Sequence, residues 1–178
     1  MSRLSHLKAI LSLPIMVTLV VPAIILILTW ASGLPWLILY PLSLLSLISG
    51  VPCLVVGLLL VYKTNQLFAS VGQGTLSPWD PPKHFVVVGV YRHVRNPMIL
   101  GVLLVLLGEA LLFGSIPLFL WVLFFWVANH VHFIRTEEPA LVERFGDEYL
   151  RYKAHVPRWI PRLKPWELST ETNNPYSD

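Results

Sequence analysis

The chain has 178 residues, of which 55% are hydrophobic and only 13% are charged, with a net charge of +3. A soluble domain of this size carries about 25% charged residues, so the composition indicates a protein that is dissolved mainly in lipid. The basic residues flank apolar segments, which favours a membrane protein over one that binds nucleic acid. A single cysteine, Cys53, excludes an internal disulfide.

The N-terminal part of the chain predicts a pair of transmembrane helices within residues 1–63. Residues 9–62 contain no Asp, Glu, Lys or Arg, a length that suits two spans of about 20 residues. A turn-forming stretch of Ala, Ser, Gly, Leu and Pro interrupts them, so we expect helices near residues 11–30 and 36–62.

A second apolar block predicts a transmembrane helical hairpin over residues 97–135. Gly and Pro at residues 114–117 interrupt the block, which gives helices over 97–113 and 117–135. Each arm is barely long enough to span the bilayer. The sequence therefore predicts an all-α integral membrane protein with about four transmembrane helices.

The distribution of basic residues predicts how the helices are oriented. On a path of four alternating spans, every Lys and Arg falls on one side of the membrane. The positive-inside rule then places both termini and the long loop at 64–96 in the cytoplasm, in a prokaryotic inner membrane or an endoplasmic-reticulum-like one. An odd number of spans would destroy this separation.

The C-terminal residues 136–164 predict an amphipathic helical segment on the cytoplasmic side, followed by a polar tail at 165–178. Gly146 and Asp147 predict a break between two short helices, because Gly ends helices and Asp begins them. A helix lying on the membrane surface is the simplest interpretation. Its apolar stripe comprises Leu141, Phe145, Tyr149 and Tyr152.

Two polar clusters mark the ends of the predicted hairpin. The first precedes the helix that begins at Pro97, where free backbone amides and Arg95 could hold an anionic group or contact lipid phosphates. The second contains His130 and the pair Glu137 and Glu138, and the hairpin brings it beside the first. His130 and His132 are two residues apart and point in different directions on a helix, so we expect no metal site.

Glu109 is the only formally charged residue between Asn96 and Ile134. A carboxylate at that depth is costly and is a candidate proton site. We favour a structural role, with a small transporter as the alternative.

Two sequence motifs lie on either side of the predicted hairpin. The first motif contains Lys83, His84, Val86, Gly89, Val90, Tyr91, Arg95, Asn96, Pro97 and Gly101. The second contains Glu137, Glu138, Leu141, Phe145, Gly146, Tyr149, Tyr152, Val156, Pro157, Ile160 and Pro161. Together they resemble the motifs of the superfamily of isoprenylcysteine carboxyl methyltransferases and phospholipid methyltransferases. Asn96 and Ile99 replace the His and Tyr that are typical of prenylcysteine enzymes, which makes the chain similar to the prokaryotic branch and leaves the methyl acceptor open.

The resemblance implies a membrane methyltransferase that uses S-adenosylmethionine and takes a lipophilic substrate from the membrane. That substrate would be a prenylcysteine-like carboxylate or an amino-phospholipid head group. A non-catalytic scaffold or sensor of the same fold is the alternative. The residues implied for catalysis or substrate orientation are Arg95, Asn129 and His130. The residues implied for cofactor binding are His84, Gly89, Val90, Tyr91, Arg95, Asn96, Pro97, Gly101, Glu137 and Glu138.

Overall fold

The computed structural model describes residues 16–31, 42–67, 85 and 87–167. Within these ranges all regular secondary structure is helical. The helices are α1 (Val21–Ala31), α2 (Leu42–Leu67), α3 (Pro97–Phe113), α4 (Ile116–His132) and α5 (Glu138–His155). Shorter helical turns precede α1 (Met16–Val20), lead into α3 (Gly89–Arg92) and join α4 to α5 (Phe133–Glu137).

Two helical segments are long and apolar enough to cross a membrane, Leu44–Leu67 and Ile116–His155. Little of either segment is buried against the rest of the chain, whereas a core helix of a soluble protein would be mostly buried. Leu45, for example, remains 62% exposed. Exposed apolar surface on this scale is typical of helices that are covered by lipid. Because α1 and α3 are shorter, the count of four spans stays a prediction.

The hairpin of α3 and α4 follows from its end residues. Pro97 occupies the first turn of α3, where its missing N–H costs no hydrogen bond. Gly114 ends the helix with φ +57°, a conformation that glycine adopts without strain. Ser115 then caps α4, because its hydroxyl accepts a hydrogen bond from the Leu118 amide. The observed α3 has the predicted bounds. Helix α4 begins one residue earlier than predicted and ends at His132, three residues before the predicted end, where the turn Phe133–Glu137 takes over.

Helices α2 and α3 are antiparallel and pack closely at two pairs of glycines. A Cβ atom added at Gly57 would lie 2.7 Å from the carbonyl oxygen of Gly101. One added at Gly108 would lie 2.9 Å from the carbonyl oxygen of Gly50. Glycine therefore lets the two backbones touch, as is common between membrane helices, where dispersion contacts replace the hydrophobic effect.

The charged residues of the described ranges gather at one end of this bundle, where α2 and α4 end and α3 begins. Glu109, inside α3, is the exception. Helix α2 continues to Leu67, five residues beyond the predicted end at residue 62. The predicted boundary came from the first charged residue, Lys63, but a helix can carry its charged last turns out of the apolar layer.

Helix α5 covers this charged end and is bent at Gly146, as the sequence predicts. The backbone there has φ +54° and ψ −131°, which residues with a Cβ rarely adopt. Beyond the bend, Tyr149 and Tyr152 are buried in an apolar cluster with Val156. Phe85, from the segment before α3, packs against both tyrosine rings with centroid distances of 5.7 and 5.1 Å. The cluster thus fixes α5 to the loop that leads into α3.

Candidate functional site

The centre of the charged end is Glu138, the first residue of α5, whose side chain is buried. Its Oε1 accepts hydrogen bonds from Arg95 NH1 at 2.8 Å and from Arg158 Nε at 2.7 Å. Its Oε2 is paired with Lys153 Nζ at 2.8 Å. Burial alone would raise the pKa of Glu138, but the three cations outweigh it and hold the pKa below its ordinary value. The carboxylate is therefore ionised and has both oxygens engaged.

Arg95 lies just before α3 and has one donor that is not used. Its NH1 contacts Glu138, but its Nε is buried and has no hydrogen-bond partner among the described residues. The adjacent helix start is also uncapped, because the Asn96 side chain makes no capping bond and the first intrahelical bond is Leu100 N–H to Asn96 O, at 3.0 Å. Free amides and an unpaired arginine nitrogen at one position suit an anionic group.

Residues 156–167, called the C-terminal strap below, hold this loop in place from the opposite side. The Arg95 amide donates to the carbonyl of Pro157 at 2.9 Å, and the Arg162 amide donates to the carbonyl of His93 at 3.0 Å. His93 returns a bond through its ring, since Nδ1 donates to the carbonyl of Arg162 at 2.8 Å. The strap runs antiparallel to the loop and supplies the backbone partners that an isolated loop would lack.

The far end of the strap repeats this pairing. Arg92 Nε donates to the carbonyl of Trp166 at 2.7 Å, and its NH2 pairs with Glu167 at 2.8 Å. From the other side, the buried hydroxyl of Tyr152 donates to the carbonyl of Tyr91 at 2.7 Å. The loop that carries the first motif is therefore fixed by both the strap and α5.

His130, near the end of α4, joins the site through the strap. The Trp159 indole Nε1 donates to His130 Nδ1 at 3.0 Å, and Arg158 NH1 lies 3.5 Å from the same nitrogen. Arg158 thus links the imidazole to Glu138, because its NH2 lies 2.6 Å from Glu138 Oε1. On the neighbouring turn, Asn129 Nδ2 donates to the carbonyl of Phe125 at 2.8 Å, so its amide is engaged within its own helix.

Glu137 contrasts with its neighbour. It is exposed to solvent and forms no hydrogen bond or ion pair with any part of the chain that the structure describes. Neighbouring protein atoms displace part of the hydration of the carboxyl group, although the residue remains exposed, and together with repulsion from Glu138 this raises the pKa of Glu137 to about 7. A carboxyl group that is accessible and unpaired, and whose pKa lies near neutral pH, is suited to binding a ligand.

The structure brings together most of the described site residues that the sequence predicts, whereas Gly101 and Asn129 make their contacts elsewhere. Arg95, Asn96 and Pro97 meet Glu137, Glu138 and His130 at one end of the hairpin, and the turn Gly89–Arg92 leads into the same loop. Gly101 instead faces α2, where an added Cβ would meet Gly57 and Val61. Asn129 is bonded within α4, and His84 lies outside the described residues.

Three residues of the site have no counterpart in the sequence-based prediction: Lys153, Arg158 and Trp159. Lys153 follows the buried Tyr149 by four residues, a spacing that places both on one face of α5. Arg158 and Trp159 lie in the strap, which has no helical or strand periodicity from which a facing direction could be predicted.

Comparison with known proteins identifies the family. A sequence model described as phospholipid methyltransferase matches residues 45–148, which include α3, α4 and the glutamate pair, and the chain belongs to this family. It is 38% identical over 82 residues to the protein-S-isoprenylcysteine O-methyltransferase of Schizosaccharomyces pombe.

The similarity to that enzyme covers 45% of this chain and 34% of the yeast protein, so the match spans about a third of the relative's length. The chain is also 41% identical over 63 residues to an uncharacterized protein of Haemophilus influenzae, across 35% of this chain and the whole of that protein.

Proposed function

We propose that the protein is a membrane methyltransferase that uses S-adenosylmethionine to methylate a lipophilic substrate. The observation that carries this proposal is that two adjacent glutamates have different surroundings. Glu138 is saturated by three cations and holds Arg95 in place, whereas Glu137 is accessible and unpaired. A paired structural carboxylate beside a free one is expected where a polar ligand is bound.

The unsatisfied groups at this end fit the two charges of the methionyl part of S-adenosylmethionine. The unpaired Arg95 Nε and the free amides at the start of α3 suit its carboxylate. Glu137 suits its amino group, or the ribose hydroxyls, as an acceptor. When bound, this cofactor supplies a methyl group already activated on a sulfonium.

With an activated methyl group, the protein's contribution is mainly to bind and orient the two reactants. Correct placement can supply much of the rate enhancement without a nucleophilic side chain. Arg95 and Arg158 add fixed positive charge where a substrate carboxylate or phosphate would lie. The apolar outer surfaces of the helices let a lipophilic substrate arrive through the membrane, and the charged end meets the water from which a soluble cofactor comes.

Calorimetry on the detergent-solubilised protein tests cofactor binding. Glu137→Gln should weaken the binding of S-adenosylmethionine or S-adenosylhomocysteine by roughly tenfold, the loss expected for one charge-assisted hydrogen bond. Glu143→Gln is the matched control, since Glu143 is an exposed glutamate on α5. No binding by the intact wild type would contradict the proposal.

Transfer is tested separately by incubating the protein and a lipid extract with methyl-labelled cofactor and identifying the labelled product by mass spectrometry. A labelled lipid names the methyl acceptor. Cofactor binding without any labelled product would favour the alternative of a non-catalytic scaffold or sensor.

A further inference from the structure

We infer that Trp159 is a positioning residue that fixes the hydrogen of the His130 imidazole on Nε2. His130 then presents a hydrogen-bond donor to an oxygen of the methyl acceptor and does not act as a base. This inference rests on the proposed methyltransferase function and specifies how its site treats the acceptor.

The tautomer follows from the partners of Nδ1. An indole N–H can only donate, and the Trp159 Nε1 lies 3.0 Å from His130 Nδ1. Arg158 NH1, at 3.5 Å, is likewise a donor without acceptor capacity. Nδ1 must therefore offer its lone pair, because a hydrogen on it would face two other N–H groups. A neutral imidazole with a free Nδ1 carries its hydrogen on Nε2.

The surrounding rings hold this arrangement in place. Trp126, one turn earlier on α4, stacks on the His130 ring with a centroid distance of 5.6 Å. Trp159 packs against the rings of Trp126 and Phe133, with centroid distances of 6.5 and 6.1 Å. The indole of Trp159 is thus confined between side chains of the same helical segment, and its N–H points at one nitrogen.

The opposite nitrogen of His130 is available. Nε2 forms no hydrogen bond within the described ranges, and it is not among the buried unpaired atoms. Its N–H can therefore reach a ligand. The position is electropositive, because Arg158 bridges His130 to Glu138, where Arg95 and Lys153 also converge.

This geometry has a consequence for the acceptor. An amine must lose a proton to be methylated, but His130 has no free lone pair and Glu138 is held ionised by three cations. Glu137, the remaining carboxyl group, is engaged by the cofactor in the proposed site and is not free to act as the base. Transfer to a carboxylate oxygen breaks the carbon–sulfur bond of a sulfonium, forms a carbon–oxygen bond and releases no proton. The structure therefore favours an acceptor oxygen that is already anionic, stabilised by the His130 Nε2–H.

Nitrogen NMR of the full-length protein in detergent, with labelled histidine, tests the tautomer directly. His130→Gln assigns the signal among the six histidines of the chain. At pH 8 the wild type should show hydrogen on Nε2 and a bare Nδ1. Trp159→Phe should produce a population with hydrogen on Nδ1. Trp126→Phe, which replaces the stacked indole by a phenyl ring and removes no hydrogen bond to His130, should not.

The tautomer is measured without cofactor or substrate, so its outcome is independent of the proposed function. Absence of cofactor binding contradicts the proposed function alone. A wild-type His130 with hydrogen on Nδ1, or a Trp159→Phe spectrum identical to that of the wild type, overturns the inference alone. The wild-type spectrum decides the matter even if Trp159→Phe folds poorly.

Turnover gives a second, chemical readout. Trp159→Phe should lower kcat/KM by roughly five- to tenfold, the size of one hydrogen bond, with cofactor affinity unchanged by calorimetry. The labelled product should release methanol in alkali, as a methyl ester does. A product that is stable to alkali and methylated on nitrogen would overturn the donor role of His130.

Discussion

The interface between α2 and α3 and the charged end around Glu138 stabilise the same fold by opposite means. The first has no polar side chain at its closest points, and its glycines bring backbone against backbone. The second places one carboxylate among three cations contributed by three segments of the chain. The comparison predicts that the stability of the first interface depends on the volume of its side chains. The stability of the second depends on keeping its charged groups.

The largest effect should come from removing the carboxylate. Glu138→Ala leaves Arg95 and Arg158 mostly buried and without their partner, so we expect a loss of about 3–5 kcal/mol in the free energy of unfolding. Unfolding in detergent, followed by circular dichroism, measures this loss. Glu143→Ala, at an exposed position of α5, is the control, and equal stability of the two variants would contradict the central role of Glu138.

Adding volume at the glycine interface should have the next largest effect. Gly57→Val would place a side chain within 2.8 Å of the Val105 backbone nitrogen, so α2 and α3 must separate. The expected cost is about 1–3 kcal/mol. Leu58→Val, at a site that is 59% exposed, should be close to neutral in the same assay. If Gly57→Val were as stable as this control, the close packing of the two helices would be wrong.

A smaller effect is expected at the accessible edge of the charged end. Lys153 is 39% exposed, so solvent screens its pairing with Glu138. Lys153→Gln should cost no more than about 1 kcal/mol, well below the loss from Glu138→Ala. A loss as large as that of Glu138→Ala would show that Lys153 is as important as the two arginines.

The last of these predictions concerns the pH dependence of stability at Glu137. Its pKa rises from 4.5 to about 7 on folding, so the folded state binds this proton more tightly than the unfolded state. Stability from this group is complete below pH 4.5 and is lost as the pH rises through 7. Glu137→Gln should remove this decline, which the difference in unfolding between pH 5 and pH 8 measures.

Cofactor binding should respond to pH in the opposite direction, because an ionised Glu137 binds an amino group better than a protonated one does. Affinity for S-adenosylmethionine should therefore rise from pH 6 to pH 8 in the wild type. Affinity that does not change with pH in the wild type would contradict the role of Glu137 as the ligand-binding carboxylate.

The sequence predicts those parts of the fold that are determined by residues at which a helix begins, ends or bends. The bounds of α3 were predictable because Pro97 and Gly114 fix its two ends, and the bend in α5 was predictable from Gly146. The pairing of α2 with α3 was not. A helix that is apolar on every side gives no indication of which face meets its neighbour, even though Gly50 and Gly57 repeat at the same interval as Gly101 and Gly108.

The position of the site was likewise predictable from the sequence, but the contacts within it were not. A hairpin brings its two ends together whatever its details, which placed Arg95 beside Glu138 before any distance was known. The sequence could not distinguish Glu137 from Glu138, because their roles depend on which one faces Arg158. That arginine comes from the strap, which adopts its course only by pairing with the loop before α3.

The strap also determines when the site can form during biosynthesis. Trp166 bonds to Arg92 across 74 residues, and Arg158 bonds to Glu138 across 20. Because a chain is synthesised from its N-terminus, the hairpin helices emerge before the strap that completes their charged end. Until then Glu138 lacks Arg158, His130 lacks the indole of Trp159, and the loop before α3 lacks its backbone partners. The contacts of the site therefore form only after the hairpin helices have been synthesised.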